Sequence, residues 1–356
     1  MPYTAVDLFC GIGGLTKGLE LAGVNVSAGV DFEEGCRYAY EQNNAARFVH
    51  ADISKITSQE VEALYPIDHN RILVGCAPCQ PFSKYTHRYR KEGYKDDKWR
   101  LLYYFSNLVE SLRPQIVAME NVPELKNTKT FKDFEKKLQE LNYNVFSQVV
   151  YCPDYGVPQN RKRLVLLAST LGEIKLIPPA FTKDNYLTVR DAIGWLPALN
   201  AGETDPNDCV HTCTRLNALN IRRIEASVPG GTWRDWPDEL QLKCHKKSSG
   251  KSYPSVYGRM NWDEPSPTMT TQFYGYGNGR FGHPEQNRAL SLREGALLQS
   301  FPADYQFAQQ GAILNTRKLG VQIGNAVPVE LGRAIGESIL NHIEEVNNNA
   351  ENQNNN

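Results

Sequence analysis

The sequence predicts an α/β fold: a mostly parallel sheet, joined to a second, smaller region of irregular structure. Three observations predict it. Short apolar runs alternate with amphipathic stretches throughout the first half of the chain. That alternation fails from about residue 170, where Pro, Gly, Asn and Trp rise, and periodicity stays weak through residue 285. Helical spacing then returns in LSLREGALLQSF and PVELGRAIGESILNHIEEV.

The elements follow in order. TAVDLF reads as a buried strand, GIGG as a turn, and LTKGLELAG as a helix closed by Gly23. VNVSAGVD is a second strand, and FEEGCRYAYEQN has helical spacing. RFVHAD is a short strand, SQEVEALY a helix and RILVGC a further strand. RLLYYFSNLVESL carries apolar residues at helical intervals before the strand QIVAME. FKDFEKKLQEL is a helix, and YNVFSQVVY and RLVLLAS are strands. Near-continuous apolar strands separated by helices indicate a sheet covered on both faces. Near the end, Ser291 is placed to cap the helix in LSLREGALLQSF, and PVELGRAIGESILNHIEEV is strongly amphipathic. The polar tail NNNAENQNNN, residues 347–356, reads as disordered.

Composition narrows the class. The 356 residues are 41% hydrophobic and 22% charged, as in a soluble globular protein. No apolar run approaches the roughly 20 residues of a membrane helix. MPYTAVDLF lacks the basic-then-apolar pattern of a secretory signal, and eight cysteines at irregular spacing suit a reducing cytoplasm. There are no internal repeats. A net charge of −1 does not announce a nucleic-acid binder.

DLFCGIGG sits where a strand hands over to a helix, and its glycines let the backbone turn and a ligand approach. The spacing is not G-x-G-x-x-G, so the loop alone also fits a ligand-free turn. Asp31 ends the second strand, where an acid can accept hydrogen bonds from ribose hydroxyls. Phe32 can lie against a flat base, and Asp52 can reach the exocyclic amine of an adenine. No phosphate-binding lysine pattern appears, so a nucleoside without a phosphate chain fits better than ATP. GCAPCQPFS then places Cys79 after the strand RILVGC, at the carboxyl edge where open α/β sheets bind ligands. Glu120 ends QIVAME at the same edge. A thiolate beside an acid that can donate a proton is a recognisable catalytic pair. Arg161 and Arg163 in QNRKR are two apart at a strand start, where alternation puts them on one face to hold an anion or fix the carboxylate. Each residue taken singly also fits a structural role: a buried thiol, a solvated strand end, surface charge. Cys76 reads as incidental, since one CxxC without a second pair is weak evidence for zinc or redox chemistry.

In linear order, DLFCGIGG, GCAPCQPFS, ENVPEL, QNRKRLVLLA, RALSLREGALLQSFP and GVQIGNAVPVELGRAI resemble the motifs of the DNA (cytosine-5)-methyltransferases of bacterial restriction-modification type, over residues 4–340. The resemblance implies a Rossmann-like methyltransferase sheet, S-adenosylmethionine as cofactor and double-stranded DNA as substrate. It implies Cys79 as nucleophile, Glu120 on the N3 edge of cytosine, and Arg161 and Arg163 supporting substrate and intermediate. Asp7, Phe9, Gly11, Gly13, Asp31, Phe32, Asp52, Leu102, Asn325 and Val327 would line the cofactor pocket. DDKWRLL, around Leu102, departs from the small-residue version common in the family. Residues 1–169 and 288–346 would form the catalytic domain, and 170–287 the target-recognition region. A companion restriction endonuclease acting on the same site, a monomer, and a cytoplasmic location on the nucleoid would be typical.

The chemistry explains the residue types. Thiolate attack at C6 gives C5 enamine character, and a proton or hydrogen bond at N3 takes up the electron density pushed into the ring. The target carbon lies inside the duplex stack, so the base must be flipped out. QPFSKYTHRYRKEGYKDDKWR, with Arg88 and Arg90, can close over DNA. Residues 211–260 hold nine Lys and Arg against four Asp and Glu, a balance that suits phosphate contacts. Arg215, Arg222, Arg223, Arg234, Lys243, Lys246, Lys247, Lys251 and Arg259 are the candidates, with Arg234 in GGTWRDW also placed to read base edges. Cys209, His211, Cys213, Cys244 and His245 lack a standard zinc spacing, and no metal is expected. An RNA-methylating relative would keep the same pocket, but the long basic insertion and the lack of a CFT stretch favour DNA. A Rossmann-type oxidoreductase would leave PCQ, ENV and QNRKR unexplained, and nothing suggests a scaffold that has lost its catalytic residue types.

Overall fold

The computed structural model describes residues 1–78, 100–248, 250 and 253–354. Packing divides the chain into two compact units. One comprises residues 1–151, 162–180 and 327–356, the other 152–161 and 181–326.

In the first unit, strands β1 (Tyr3–Leu8), β2 (Val26–Asp31), β3 (Arg47–His50), β4 (Asn70–Gly75) and β5 (Ile116–Asn121) alternate with helices α1 (Gly14–Ala22), α2 (Arg37–Asn43), α3 (Ser58–Glu62) and α4 (Leu101–Leu112). Helix α5 (Lys129–Glu140) leads to β6 (Asn144–Tyr151). After the two-residue strand β7 (Gln159–Asn160), β8 (Lys162–Ser169) completes a seven-stranded sheet of order β3-β2-β1-β4-β5-β8-β6. β1 to β5 run parallel, while β8 is antiparallel to both β5 and β6. This is the mostly parallel α/β sheet that the sequence predicts. Strands β4 and β5 are buried along nearly their whole lengths, as a doubly covered sheet requires. Strand order reverses between β1 and β4, and a crevice at the carboxyl ends of such strands is the ligand position of open α/β sheets.

Helix α1 packs against the final helix, α10 (Val329–Asn354), through small residues. A side chain at Gly18 would overlap the Val329 carbonyl oxygen, and one at Gly332 or Gly336 would come within 3.1 Å of Leu15 or 3.3 Å of Leu19. Helix α10 continues to Asn354, so residues 347–354 are helical where the polar composition predicts disorder. Extending an existing helix costs no new nucleation, which lets a polar run follow the amphipathic one.

The second unit holds β7, α6 (Val189–Ile193), α7 (Ala218–Glu225), β9 (Ser266–Pro267), α8 (Leu292–Leu298) and α9 (Thr316–Asn325). β7 pairs with β9, and Ile224, Trp233, Trp236, Leu240, Tyr276 and Ala289 form a core. By packing, residues 288–326 group with this unit. A polar network ties them to it. Gln159 Nε2 donates to Gln299 Oε1 and to the Leu298 carbonyl, Arg293 pairs with Asp208, and His211 meets Ser291. Ser291 caps α8 in a full capping box with Glu294, whose carboxylate is also gripped by the buried Arg288 at 2.7 Å. Among the described residues, no helix is long and apolar enough to cross a membrane.

Candidate active site

Strand β1 ends at Leu8, and the chain turns at once into a loop with three left-handed residues: Phe9 (φ 65°), Gly11 (φ 53°) and Gly13 (φ 88°). Such a conformation is uncommon for a phenylalanine and marks an over-determined backbone. The loop is held by β2. Phe9 and Cys10 N–H groups both donate to the Val30 carbonyl, and Gly11 N–H donates to Asp31 Oδ2 at 2.8 Å. Asp31 Oδ1 accepts from Glu33 N–H at 2.8 Å. Each carboxylate oxygen retains a lone pair for a ligand. Among the described residues, nothing would approach a Cβ at Gly11 within 4 Å, so they leave space over the loop. Phe32 follows with 66% of its surface exposed.

Asp7 lies beneath this loop, fully buried. Its Oδ2 accepts from the Thr16 hydroxyl at 2.7 Å, and its Oδ1 has no hydrogen-bond partner among the described residues. Burial raises its carboxyl to about 7, opposed by the Thr16 hydrogen bond and reinforced by the negative Asp31. Burial also raises Asp31. Asp52, beyond β3, is partly exposed, and its Oδ1 accepts from the Ser54 N–H and hydroxyl. Leu102 is buried in the sheet's apolar core, and Val327 is buried in the same unit just before α10. Asn325 ends α9 in the second unit.

Glu120 closes β5 with only 2% of its surface exposed. Arg163 on the neighbouring strand β8 brings its Nε to 2.7 Å from Glu120 Oε1. The ion pair is close, yet Oε1 receives no aligned hydrogen bond among the described residues. On the other side, the Cys76 thiol donates to Glu120 Oε2 at 2.9 Å. Burial raises the Glu120 carboxyl above its ordinary range, with Arg163 and the Cys76 hydrogen bond opposing the shift. Burial and the Glu120 charge push the Cys76 thiol far up, so it remains protonated. A carboxyl poised in this way can hand a proton or a hydrogen bond to a base brought against it. The sequence expectation that an arginine fixes the carboxylate thus has a structural counterpart in Arg163. Cys76 is the residue that sequence reasoning missed. Its signal was position alone: it directly follows β4, whose neighbour β5 carries Glu120.

Arg161 parts from Arg163. β8 begins at Lys162, and Arg161 lies in a turn tied to Gln159 and Cys152. The two arginines therefore do not share a strand face. Arg161 is buried in the second unit, where its guanidinium donates to the Met269 carbonyl at 2.9 Å and to the Gly324 carbonyl at 3.4 Å.

Cys79, Arg88, Arg90 and Lys251 lie outside the described residues. Arg234 is exposed, with its guanidinium 5.5 Å from the Trp233 ring centre, and Lys246 and Lys247 are exposed. Arg215, Arg222 and Lys243 are also on the surface. Two further basic candidates are structural instead. Arg223 is buried, with Nε donating to the Leu240 carbonyl, and Arg259 is buried among the carbonyls of Ile224, Ser227, His283 and Gln286. They satisfy loop backbone that strands would otherwise pair. The cysteine and histidine set disperses as well. His211 uses both ring nitrogens on Ser291 and the Pro197 carbonyl, Cys213 donates to the Asn200 carbonyl, Cys244 is exposed and His245 stacks on Trp233. No group of three or more metal-ligating side chains occurs among the described residues.

The family described as C-5 cytosine-specific DNA methylase matches residues 3–341. The chain is 55% identical over 347 residues to the Type II methylase M.HgiDII of Herpetosiphon aurantiacus, covering 97% of each chain. It is 30% identical to the Type II methyltransferase M.Eco47II of Escherichia coli, over 97% of this chain and 80% of that protein. The solved structure of the Entamoeba histolytica methyltransferase EhMeth superposes with a TM-score of 0.65 at 16% identity. It covers 96% of this chain and 99% of that one, a likeness of fold.

Proposed function

Because this chain belongs to the C-5 cytosine-specific DNA methylases, we propose that Cys79 and Glu120 methylate one cytosine within a short duplex DNA sequence through a covalent intermediate. The enzyme is a DNA (cytosine-5)-methyltransferase of restriction-modification type. The observation that carries the mechanism is Glu120, a buried carboxyl at the carboxyl edge of the sheet, with Arg163 on one oxygen and a raised affinity for its proton.

The acidic, glycine-lined end of β1 and β2 fits S-adenosylmethionine. Asp7 has a buried oxygen to spare, Asp31 retains lone pairs for hydroxyls, Gly11 leaves open space, and Phe32 offers an exposed ring. When bound, this cofactor supplies an electrophilic methyl on a sulfonium. The Cys79 thiolate adds to C6 of a cytosine turned out of the duplex, and Glu120 meets the electron density arriving at N3. C5 would take the cofactor's methyl with cleavage of the methyl–sulfur bond, leaving a neutral thioether; a base or water would then remove the C5 proton and the ring would expel the Cys79 thiolate. Arg163 restrains the Glu120 carboxyl throughout. The exposed basic residues Arg234, Lys246 and Lys247 would contact DNA from the second unit, which we assign to target recognition. A companion endonuclease, action as a monomer and a cytoplasmic, nucleoid-associated location accord with this role.

The test is transfer of labelled methyl to duplex DNA, with total tRNA as comparison and bisulfite sequencing of the product. Label at C5 of cytosine in one motif is expected. Cys79→Ala should abolish it, and Glu120→Gln should lower it by at least about 100-fold, the usual weight of a positioned acid. Label only in tRNA, or full activity in Cys79→Ala, would overturn the proposal.

A further inference from the structure

We propose that Cys76 is a positioning residue for Glu120, its thiol fixing the carboxyl that faces the cytosine ring. This rests on the catalytic assignment of Glu120 above. The carboxyl is held from two sides: Arg163 approaches Oε1 from β8, and the Cys76 thiol donates to Oε2 from the turn after β4. The thiol is itself fixed. Cys76 N–H donates to the Leu8 carbonyl at 3.3 Å, and Asn121 Nδ2 donates to the Ala77 carbonyl at 2.9 Å, tying the turn to β1 and β5. A side chain at Gly75 would come within 2.7 Å of the Leu8 carbonyl oxygen, so this backbone has one seat.

The choice of a thiol has a physical consequence. Beside a buried carboxylate, the half-buried thiol stays protonated and acts as a neutral, weak donor. A serine hydroxyl there would donate more strongly and favour the ionised carboxylate. An alanine would leave Oε2 without its donor and favour the protonated form. Among the described residues, the charged and titratable groups bearing on the pair are Arg163 on β8, which acts on both, Glu120 itself on β5, and Asp7 on β1, which acts on the thiol. Cys76 therefore helps set the pH above which Glu120 no longer offers a proton.

The experiment is the pH profile of the methyl-transfer rate with saturating duplex DNA and methyl donor, in wild type, Cys76→Ala, Cys76→Ser and Glu120→Gln. Rate should fall at high pH as Glu120 ionises. Cys76→Ala should lower the maximal rate about fivefold, leave KM for DNA unchanged, and move the falling limb up by about half a pH unit, the scale of one weak hydrogen bond. Cys76→Ser should recover most of the rate and move the limb below that of wild type. Unmoved limbs in both variants, with Glu120→Gln inactive, would overturn the role of Cys76 while leaving Glu120 catalytic. An active Glu120→Gln would instead remove the catalytic assignment beneath it. If Cys76→Ala does not fold, Cys76→Ser decides alone: a lowered limb supports the role and an unmoved one overturns it.

Discussion

Asp7 shows how much one buried side chain beneath the loop between β1 and α1 can cost. Its carboxyl is raised from 3.8 to about 7, chiefly by burial. Between those values the folded chain keeps a proton that the unfolded chain has released. The stability this confers is complete below pH 3.8 and lost as pH rises through 7. Asp7→Asn should remove that dependence. At pH 8, without added ligand, the variant should gain at least about 1 kcal/mol, or roughly 2 °C in thermal midpoint. Melting curves from pH 5 to 8 check this, and parallel wild-type and variant curves would refute it. The type and edge of Asp31 and Glu120 were legible in the sequence, because each ends an apolar run, whereas Asp7 was marked only by the family resemblance. What they touch was not. The Cys76 thiol reaches Glu120 across 44 positions of chain, and Arg163 reaches it through a strand whose direction no local pattern reveals.

Among the elements, the packing of α1 on α10 depends on a missing side chain. Gly18→Ala would drive a methyl into the backbone of α10 at Val329 and Arg333. Overpacking of this kind costs about 1–3 kcal/mol, and denaturant unfolding should show a lower midpoint with an unchanged slope. Helix α8 makes a second case. Burial works to raise Glu294, but the Arg288 pair and the Ser291 N–H hold it down to about 2. Its contribution is complete above pH 4.5 and lost as pH falls through 2. Glu294→Gln leaves Arg288 buried without its counter-charge and should cost about 3–5 kcal/mol at pH 7, with the loss shrinking in melts taken from pH 5 down to 2. The Ser291 cap was readable from the sequence, since a serine three residues before a glutamate carries its own geometry. Helix α9 was not, because two of its four buried positions, Gly320 and Gly324, are glycines, which carry no apolar signal and are poor helix formers.

For the whole molecule, neutrality hides a division of charge. The chain carries −1 overall, yet Arg215, Arg222, Arg234, Lys243, Lys246 and Lys247 are exposed on the second unit. Replacing Lys243, Lys246 and Lys247 together by Ala should weaken binding to any duplex. It should also flatten the slope of log affinity against log salt by about 0.9 for each phosphate that is no longer neutralised. Titrations on cognate and scrambled duplexes at several salt concentrations measure this. Equal slopes in wild type and variant would show that these lysines do not meet the backbone. Composition revealed the basic stretch but not which members face solvent, since Arg223 and Arg259 are consumed in holding irregular loops together.

The chain passes between its two units four times, at 151/152, 161/162, 180/181 and 326/327. The second unit, to which we assign target recognition, therefore is not a cassette. A hybrid enzyme made by grafting residues 170–287 from a relative would import β9 without its partner β7, and Asp208 without Arg293. Its sequence preference would arrive with severed bonds. A graft cut at the four crossings would carry its own stitching, and the target-recognition role proposed for this unit predicts that the donor's target travels with it.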